Sequence, residues 1–342
     1  MKALVLEKYG HLVYRDEPDP KIRPDEALVR IRACGICGSD VHGFDGSSGR
    51  RIPPLIMGHE ASGVVEDIGP EVTGWKVGDR VTFDSTLYPA DDWYARHGRY
   101  NLSDRREVFG VSPGEYRRHG AFAELLAVPQ HVLHKIPDSV SFEEAAMVEP
   151  VAVALHAINR AQPRPIDHCA IVGVGTIGLF ILKLLKLSSQ GTIAAIDLSA
   201  QNRERALRFG ADLALDPNDP ELGAKLKAAT SGRGPDVIFE AVGIEPTVNL
   251  ALEHVRKGGD AVLVGNLSPN VNLPLQTVVT RELTLHGSCA ICGEYPAVLE
   301  LMASRRIDVS QDIVEVAPLS EGAAWFDRLY KGGVSGKVIL KP

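Results

Sequence analysis

Three glycines in the middle of the chain have the spacing of a loop that binds phosphate. Gly173, Gly175 and Gly178 form a G-x-G-x-x-G pattern between two apolar stretches, Ala170–Val172 and Thr176–Leu187. The first stretch predicts a buried strand, and the second predicts a helix of about three turns. The first glycine would make a tight turn, the second would let the backbone approach a pyrophosphate, and the third would let helix and strand pack closely.

Both halves of a dinucleotide's adenosine diphosphate find predicted partners near this loop. The free N–H groups at the helix start, at Thr176 and Ile177, and the helix dipole favour the phosphates. Asp197 ends the predicted strand Thr192–Ile196, nineteen residues after Gly178, where an acid binds the adenosine ribose hydroxyls. Because this carboxylate would repel a ribose 2′-phosphate, the sequence favours NAD over NADP.

Four polar residues of the N-terminal half have side chains of the kinds that bind zinc. Cys37 lies in a glycine-rich segment, His59 and Glu60 are adjacent, and Glu149 lies in an apolar stretch where burial is expected. Burying an unpaired carboxylate has a prohibitive cost in free energy, so Glu149 needs a cation or a proton. One thiolate, one imidazole and one or two carboxylates make a tetrahedral Zn²⁺ site with a position for water or substrate. Taken singly, the cysteine is also explained as a small buried hydrophobe, and the His-Glu pair as a surface feature.

Composition favours a two-domain enzyme and argues against several other classes of protein. The chain has 342 residues, a net charge of −7 and a pI near 5.9, which disfavour general affinity for nucleic acid or anionic membrane. No apolar run approaches the about 20 residues of a membrane span, and the first residues are too quickly charged for a signal peptide. Five cysteines, an odd number, indicate a reducing compartment, so the expected location is cytoplasmic.

The elements that must position these residues follow two patterns. Over residues 151–286 strands and helices alternate, which predicts an α/β fold with a doubly wound parallel sheet of Rossmann type. Residues 1–150 contain short β runs separated by Gly and Pro, the pattern of a distorted antiparallel barrel. The last part of the chain, 287–342, is too short for a separate domain, so it is expected to return to the first one.

Eight segments spread along the chain carry a family resemblance. They are Gly35–His42, Gly58–Val65, Gly78–Val81, Glu149–Ala157, Gly173–Gly178, Asp197–Ala200, Glu240–Gly243 and Gly258–Gly265. Together they resemble the zinc-dependent medium-chain dehydrogenases, closest to the sorbitol (polyol) dehydrogenase branch, over essentially the whole chain. The resemblance implies that the β-rich domain is a GroES-like catalytic domain, into which the Rossmann domain is inserted. The Glu149-Pro150 pair, in place of a cysteine, points to the polyol branch.

The same resemblance implies a catalytic zinc ion and its ligands. Cys37, His59 and Glu149 are the implied ligands, and Glu60 is an alternating ligand or a partner of the metal-bound water. In such enzymes the metal acts as a Lewis acid that lowers the pKa of the bound alcohol.

The resemblance further implies how protons and hydride move. Ser39 is the first proton acceptor, and His42 is the general base at the mouth of the site. Arg203 is expected near the adenine ribose or phosphate, with an exposed helix charge as the alternative explanation. The nicotinamide and its ribose are expected to meet Ala241, Val242, Gly243, Val264, Gly265 and Asn266.

The chain departs from the family pattern in two places. Most relatives hold a structural zinc with four cysteines, and here those positions are Pro89, Asp92, Ala95 and Ser103. One catalytic zinc per chain and no structural zinc are therefore expected. Polyol dehydrogenases also place an Arg-Tyr pair after the last sheet strand, and here those positions are Ala290 and Ile291.

Without its thiolates, the segment 85–110 must be ordered by other means. Exposed ion pairs contribute only ~0–1 kcal/mol each, whereas a buried aromatic ring contributes roughly 1.5–3 kcal/mol. We therefore expect this segment to be anchored by burial of Trp93, Tyr94, Tyr100 and Phe109, with its charges outside.

Taken together, these features predict a zinc-dependent oxidoreductase that transfers hydride between NAD and a secondary alcohol or ketone of a polyol, sugar or cyclitol. An amino-alcohol dehydrogenase of the threonine type is the alternative, and a non-catalytic NAD-binding protein is a more distant one. The expected partners are a small-molecule substrate and further copies of the chain, as a homodimer or homotetramer, with no nucleic acid and no membrane.

Overall fold

The computed structural model of the protein describes residues 1–114, 116–332 and 334–342. No helix within these ranges is long and apolar enough to cross a lipid bilayer. The strands are β1 Lys2–Lys8, β2 His11–Asp16, β3 Glu26–Gly35, β4 Leu55–Ile56, β5 Glu60–Ile68, β6 Arg80–Phe83, β7 Thr86–Leu87, β8 Glu107–Val108, β9 Leu125–Pro129, β10 Leu133–Lys135, β11 Cys169–Val172, β12 Ile193–Ile196, β13 Leu213–Leu215, β14 Val237–Glu240, β15 Asp260–Leu263, β16 Thr284–Gly287, β17 Ile313–Pro318 and β18 Lys337–Lys341. The α-helices are α1 Gly38–Phe44, α2 Trp93–Arg96, α3 Phe142–Ala146, α4 Val148–Ala161, α5 Thr176–Lys186, α6 Ala200–Arg208, α7 Leu222–Ala229, α8 Glu245–His254, α9 Leu275–Thr280, α10 Tyr295–Ala303 and α11 Gly322–Tyr330.

The chain divides into two compact units. Unit 1 comprises Met1–Glu149 and Ile291–Pro342, and unit 2 comprises Pro150–Ala290. The sequence places the second boundary after residue 286, whereas in the structure residues 287–290 stay with unit 2. The reason is that Gly287 is the last residue of β16, and the Ser288 N–H donates to the Leu263 carbonyl at 3.0 Å.

Unit 2 has the predicted doubly wound architecture. Its six strands are parallel throughout, in the order β13-β12-β11-β14-β15-β16. Strands β11, β12 and β14 are buried along their whole length, as in a sheet that helices cover on both faces. The predicted strands Ala170–Val172 and Thr192–Ile196 are present as β11 and β12, each with its first residue displaced by one. Helix α9 lies where no element is predicted, because its β-branched residues lower helix propensity.

Unit 1 is built around the long strand β3. In the main sheet the order is β10-β6-β5-β3-β18-β17, and β9 also pairs with β3. The C-terminal strand β18 pairs with the end of β3, at Cys34 and Gly35, so both ends of the chain contribute to one sheet. The core beneath these strands is aromatic and aliphatic, and its largest fully buried side chains include Phe83, Phe109, Phe122 and Phe326.

The segment 85–110 is held by side-chain caps at two of the positions that the resemblance assigns to structural-zinc cysteines. Asp92 Oδ1 accepts from the N–H groups of Tyr94 at 2.9 Å and Ala95 at 3.3 Å, and so begins α2. Ser103 Oγ likewise accepts from the Arg105 N–H at 3.2 Å. Two of the four positions that would carry cysteines thus satisfy backbone donors.

Aromatic side chains anchor the same segment, with one exception. The Tyr100 ring stacks on Tyr88 with centroids 4.3 Å apart, and the fully buried Phe109 packs edge-on against Phe83 at 5.3 Å. The predicted burial of Trp93 is wrong, since this residue is 63% exposed, with His97 stacked on its ring and Tyr94 packed edge-on against it. In the four-residue helix α2 the half-buried residues are Tyr94 and Ala95, whereas Trp93 and Arg96 are exposed, so the indole lies on the solvent side.

Candidate active site

Cys37 occupies the N-cap of α1, and this places two further predicted site residues on one short helix. Its Sγ accepts from the Ser39 N–H at 3.5 Å and from the Ser39 hydroxyl at 3.2 Å. Ser39 and His42 lie three residues apart, so their side chains share a face of α1, and both residues are exposed. The helix therefore carries a line of groups from the thiol to the solvent.

His59 and Glu60 enter the site where β5 begins. The preceding Gly58 has φ +94°, a conformation that strongly favours glycine, and it sets the direction of both side chains. Glu60 lies opposite Gly35 of β3, where any side chain would collide with Glu60 Oε2. The ligand atoms of Cys37, His59 and Glu60 all lie within 4.8 Å of one another.

Glu60 is paired with a lysine that the sequence analysis did not select. Lys337 Nζ donates to both Glu60 carboxylate oxygens at 2.7 Å, and to the Ile36 carbonyl at 3.2 Å. Burial disfavours the ammonium, but the Glu60 carboxylate outweighs it and raises the pKa of Lys337. Direct ligation of a metal by Glu60 therefore requires this ion pair to loosen.

Asp40 lies behind His59 and is fully buried. Its Oδ1 is 3.5 Å from His59 Nδ1, an ion-pair distance, and it accepts from Arg51 Nη2 at 2.9 Å and Nε at 3.2 Å. Burial alone would raise the pKa of this carboxyl, but His59 and Arg51 hold it at about 2. Asp40 and the Cys37 thiolate in turn raise the pKa of His59 well above its ordinary value, despite burial.

Glu149 lies in the first turn of α4 and is buried, as its apolar sequence context predicts. Its carboxylate is not part of the group formed by Cys37, His59 and Glu60. Burial raises the pKa of Glu149 to about 7; the neighbouring His59 opposes the rise and Glu60 adds to it. A carboxyl in this environment takes up either a proton or a cation.

The donor set fits a zinc ion. It offers a thiolate, an imidazole and buried carboxylates, the combination that zinc accepts at tetrahedral sites. A carboxylate behind the histidine, as Asp40 is here, orients such a ligand in metal sites. Among the residues that the structure describes, Cys37, His59 and Glu60 form the one group of three such side chains with ligand atoms this close.

The glycine loop of unit 2 has the geometry that the spacing predicts. Gly173 has φ +85°, and a side chain there would collide with Val242. A side chain at Gly178 would collide with the Gly173 carbonyl, whereas Gly175 faces open space and begins α5 as its N-cap. The loop is thus closed against protein on two sides and open where a pyrophosphate would approach the helix start.

Asp197 is tied into the loop and keeps acceptor capacity. Its Oδ2 accepts from the Val174 N–H at 2.8 Å, and its Oδ1 accepts from the Ser199 N–H at 2.8 Å. Oδ2 also accepts from Asn202 Nδ2 at 3.3 Å. Because a carboxylate oxygen has about two acceptor positions, Oδ1 is the oxygen that can still accept from a ribose hydroxyl. Arg203 donates to the carbonyls of Asp197 at 2.7 Å and Leu198 at 2.9 Å, so it braces this turn and is not a free surface charge.

The two loops predicted to meet the nicotinamide half pack backbone against backbone. A side chain at Gly243 would collide with Asn266 N, and one at Gly265 would collide with Gly243 N. The buried Glu240 supports the first loop, since its Oε1 accepts from the N–H groups of Val242 at 2.9 Å and Gly243 at 2.8 Å. The structure therefore brings all six predicted residues, including Ala241 and Val264, into two adjoining turns.

Comparison with known proteins identifies the family. One family model, described as an alcohol dehydrogenase GroES-like domain, matches residues 23–138, and another, described as a zinc-binding dehydrogenase, matches residues 173–304. The chain belongs to the zinc-binding dehydrogenase family. It is a zinc-dependent oxidoreductase of the polyol dehydrogenase branch, and its cofactor is of the NAD(P) class.

Individual relatives of this dehydrogenase match it over nearly the whole length. Human sorbitol dehydrogenase is 32% identical, over 99% of this chain and 95% of its own. The D-xylulose reductase of Saccharomyces cerevisiae is 33% identical, over 90% of this chain and 88% of its own. A zinc-binding dehydrogenase of Sinorhizobium meliloti 1021, solved with NADP bound, superposes with a TM-score of 0.91 at 28% identity, covering 100% of this chain and 99% of that one.

Two residues of the dehydrogenase site escaped the sequence analysis. Lys337 carries a weak signal, because it directly precedes the apolar run Val338–Leu340 of the final strand. Arg51 carries none, since it follows another arginine in a polar loop. Both are nearly inaccessible to solvent in the structure, and both touch a predicted site residue.

Proposed function

We propose that this dehydrogenase oxidises a secondary alcohol of a polyol, sugar or cyclitol, reversibly giving the ketone, with NAD as hydride acceptor. The observation that carries the proposal is the close group of Cys37, His59 and Glu60, of which His59 and Glu60 are buried, with the buried carboxyl of Glu149 in the same unit. Relatives named for sorbitol and D-xylulose support the polyol class.

Zinc would be held by Cys37, His59 and Glu149, with Glu60 as an alternating ligand. When bound, zinc supplies Lewis-acid polarisation of the substrate oxygen. Ser39 accepts the proton of the substrate hydroxyl and releases its own, and His42, on the same face of α1, passes a proton to solvent. Lys337 holds Glu60 in place while it is not a ligand.

NAD is proposed over NADP because of Asp197. A 2′-phosphate would bring a second negative charge against a carboxylate whose two oxygens already accept from backbone N–H groups. Although a neighbour at 28% identity binds NADP, no cationic group replaces the acid at this position here. Arg203 supports the acid by fixing the turn that follows it, next to the adenine ribose.

One zinc per chain is proposed, without a structural zinc. The segment 85–110 has no cysteine, and Asp92 and Ser103 already use their side chains on backbone donors. Aromatic stacking of Tyr100 on Tyr88 supplies the order that a metal would provide.

A homodimer or homotetramer is proposed because unit 2 leaves an apolar edge open. Strand β16 ends the sheet order, and exposed apolar side chains lie on the segment before it, at Leu273, Leu275 and Val279. Light scattering on Leu275→Lys against the native chain tests this, and an unchanged mass would count against this edge as the interface. The odd number of cysteines, five, agrees with a cytoplasmic location.

The substrate is tested by NADH formation across a panel of polyols, sugars, cyclitols and amino alcohols including threonine. Ala290 and Ile291 offer no side-chain hydrogen-bond donor, so activity is expected on polyols other than sorbitol itself. Cys37→Ala provides the background rate. Turnover of threonine alone would favour the amino-alcohol alternative. NADH binding without turnover of any panel member would favour a non-catalytic protein.

A further inference from the structure

Arg51 is a buried arginine that links two parts of the proposed site. It lies in the polar loop between α1 and β4, yet its side chain is only 3% exposed. Its Nη2 donates to Asp40 Oδ1 at 2.9 Å and to Ser39 Oγ at 3.1 Å. The guanidinium therefore bridges the carboxylate behind His59 and the hydroxyl beside Cys37.

The orientation of the guanidinium is fixed by contacts other than the one to Ser39. Nε also donates to Asp40 Oδ1, at 3.2 Å, so two donors of the guanidinium converge on one carboxylate oxygen. Nη1 donates to the Arg50 carbonyl at 3.4 Å, and a side chain at Gly43 would collide with the Arg51 stem. These contacts hold the guanidinium in one orientation, with an N–H directed at Ser39 Oγ.

A serine hydroxyl has one hydrogen and two acceptor lone pairs. When Arg51 takes one lone pair, a single acceptor position remains for the proton that arrives, and the hydroxyl hydrogen is the one that leaves. We propose that Arg51 is a positioning residue for proton transfer through Ser39. It fixes the rotamer of the hydroxyl and leaves it one acceptor position and one donor position. This inference rests on the proposed role of Ser39.

The proton balance of the step is closed. In the oxidation direction, the substrate hydroxyl gives its proton to Ser39 Oγ. The original Ser39 proton, which the resting hydroxyl donates to Cys37 Sγ at 3.2 Å, leaves that hydrogen bond towards His42 and solvent. Ser39 ends as it began, and Arg51 keeps all its protons throughout. The role of Arg51 is therefore orientation alone, and it needs no additional reactant.

The test is a double-mutant cycle with Arg51→Lys and Ser39→Ala. A lysine keeps the positive charge beside Asp40 but lacks the planar fork that reaches two acceptors at once. We expect kcat of Arg51→Lys to fall about tenfold, the change that corresponds to one lost hydrogen bond, with KM and zinc content unchanged. In the Ser39→Ala background the same substitution should change kcat less than twofold.

The matched control is Arg50→Lys, the exposed arginine next in sequence, which should keep wild-type kcat. An equal fall of kcat in both backgrounds would mean that Arg51 acts on the fold or on Asp40, and would overturn the inference while leaving the role of Ser39 intact. Wild-type kcat in Arg51→Lys would overturn it as well. Wild-type kcat in Ser39→Ala would instead overturn the proposed function of Ser39, and the inference with it.

Discussion

Replacing Lys337 by methionine removes the partner of a buried carboxylate. Both side chains of the Lys337–Glu60 pair are almost inaccessible to solvent, at 4% and 1%, and Nζ contacts both carboxylate oxygens at 2.7 Å. Breaking a buried pair by removing one partner costs about 3–5 kcal/mol, because the remaining charge is left uncompensated. With a urea m-value of about 2 kcal/mol/M, the unfolding midpoint should fall by about 2 M.

The assay follows directly from the positions of the tryptophans. Trp75, Trp93 and Trp325 all lie in unit 1, so tryptophan fluorescence reports on the unit that holds the pair. Unfolding should be measured in excess chelator, so that differences in zinc content cannot contribute.

A control variant is available on the same strand. Lys341→Met removes the exposed pair with Glu143, whose side chains are 48% and 26% accessible, and should change the free energy of unfolding by only ~0–1 kcal/mol. Adding Glu60→Gln to Lys337→Met should recover much of the lost stability, since neither position of the pair then carries a charge. Equal unfolding midpoints for Lys337→Met and Lys341→Met would show that the buried pair with Glu60 contributes no more stability than the exposed pair with Glu143.

Four further predictions concern the cofactor and the metal. Burial raises the pKa of the Glu149 carboxyl from 4.5 to about 7. Between these two pH values, the zinc-free folded protein keeps a proton on Glu149 that the unfolded chain has lost. Its stability should therefore fall across that window, by about 1.4 kcal/mol per pH unit for one proton, and Glu149→Gln should remove that part of the slope in pH-dependent urea melts. Asp197→Ala should lower the ratio of kcat/KM for NAD to kcat/KM for NADP. Comparable kcat/KM values for the two cofactors in the wild-type protein would contradict the assignment of NAD. Cys37→Ala should abolish turnover while NADH binding, followed by fluorescence titration, stays near normal; full activity would remove the cysteine from the metal site. Elemental analysis should find about one zinc per chain. A second tightly bound zinc in the segment 85–110 would contradict the proposal that this segment is ordered without a metal.

The nucleotide site could be predicted from the sequence because its parts are close along the chain. Gly173, Gly178 and Asp197 belong to one β-α-β unit, whose alternating apolar stretches set strand, turn and helix locally. Steric demand then fixes the residue types, as at Gly178, where any side chain would strike the Gly173 carbonyl. Cys37, His59 and Glu149 carried chemical signals of their own, but only the family resemblance joined them into one site.

Other features depend on contacts that no local pattern encodes. Lys337 and Glu60 are 277 residues apart and meet because β18 lies beside β3, which lies beside β5. The sequence around Arg51 is typical of a surface loop. In the fold, its aliphatic part packs against Gly43, and its guanidinium donates to Asp40 and Ser39.

The exposure of Trp93 is another feature that the local sequence does not predict. Its type predicts burial, yet the half-buried residues of α2 are Tyr94 and Ala95, and the indole is left exposed. The sequence by itself determined which residues could hold a dinucleotide and a metal, since residue chemistry and steric fit at a turn are local properties. Only the tertiary structure decided which charges are buried together, because the desolvation that gives such pairs their energy exists only once distant strands have closed around them.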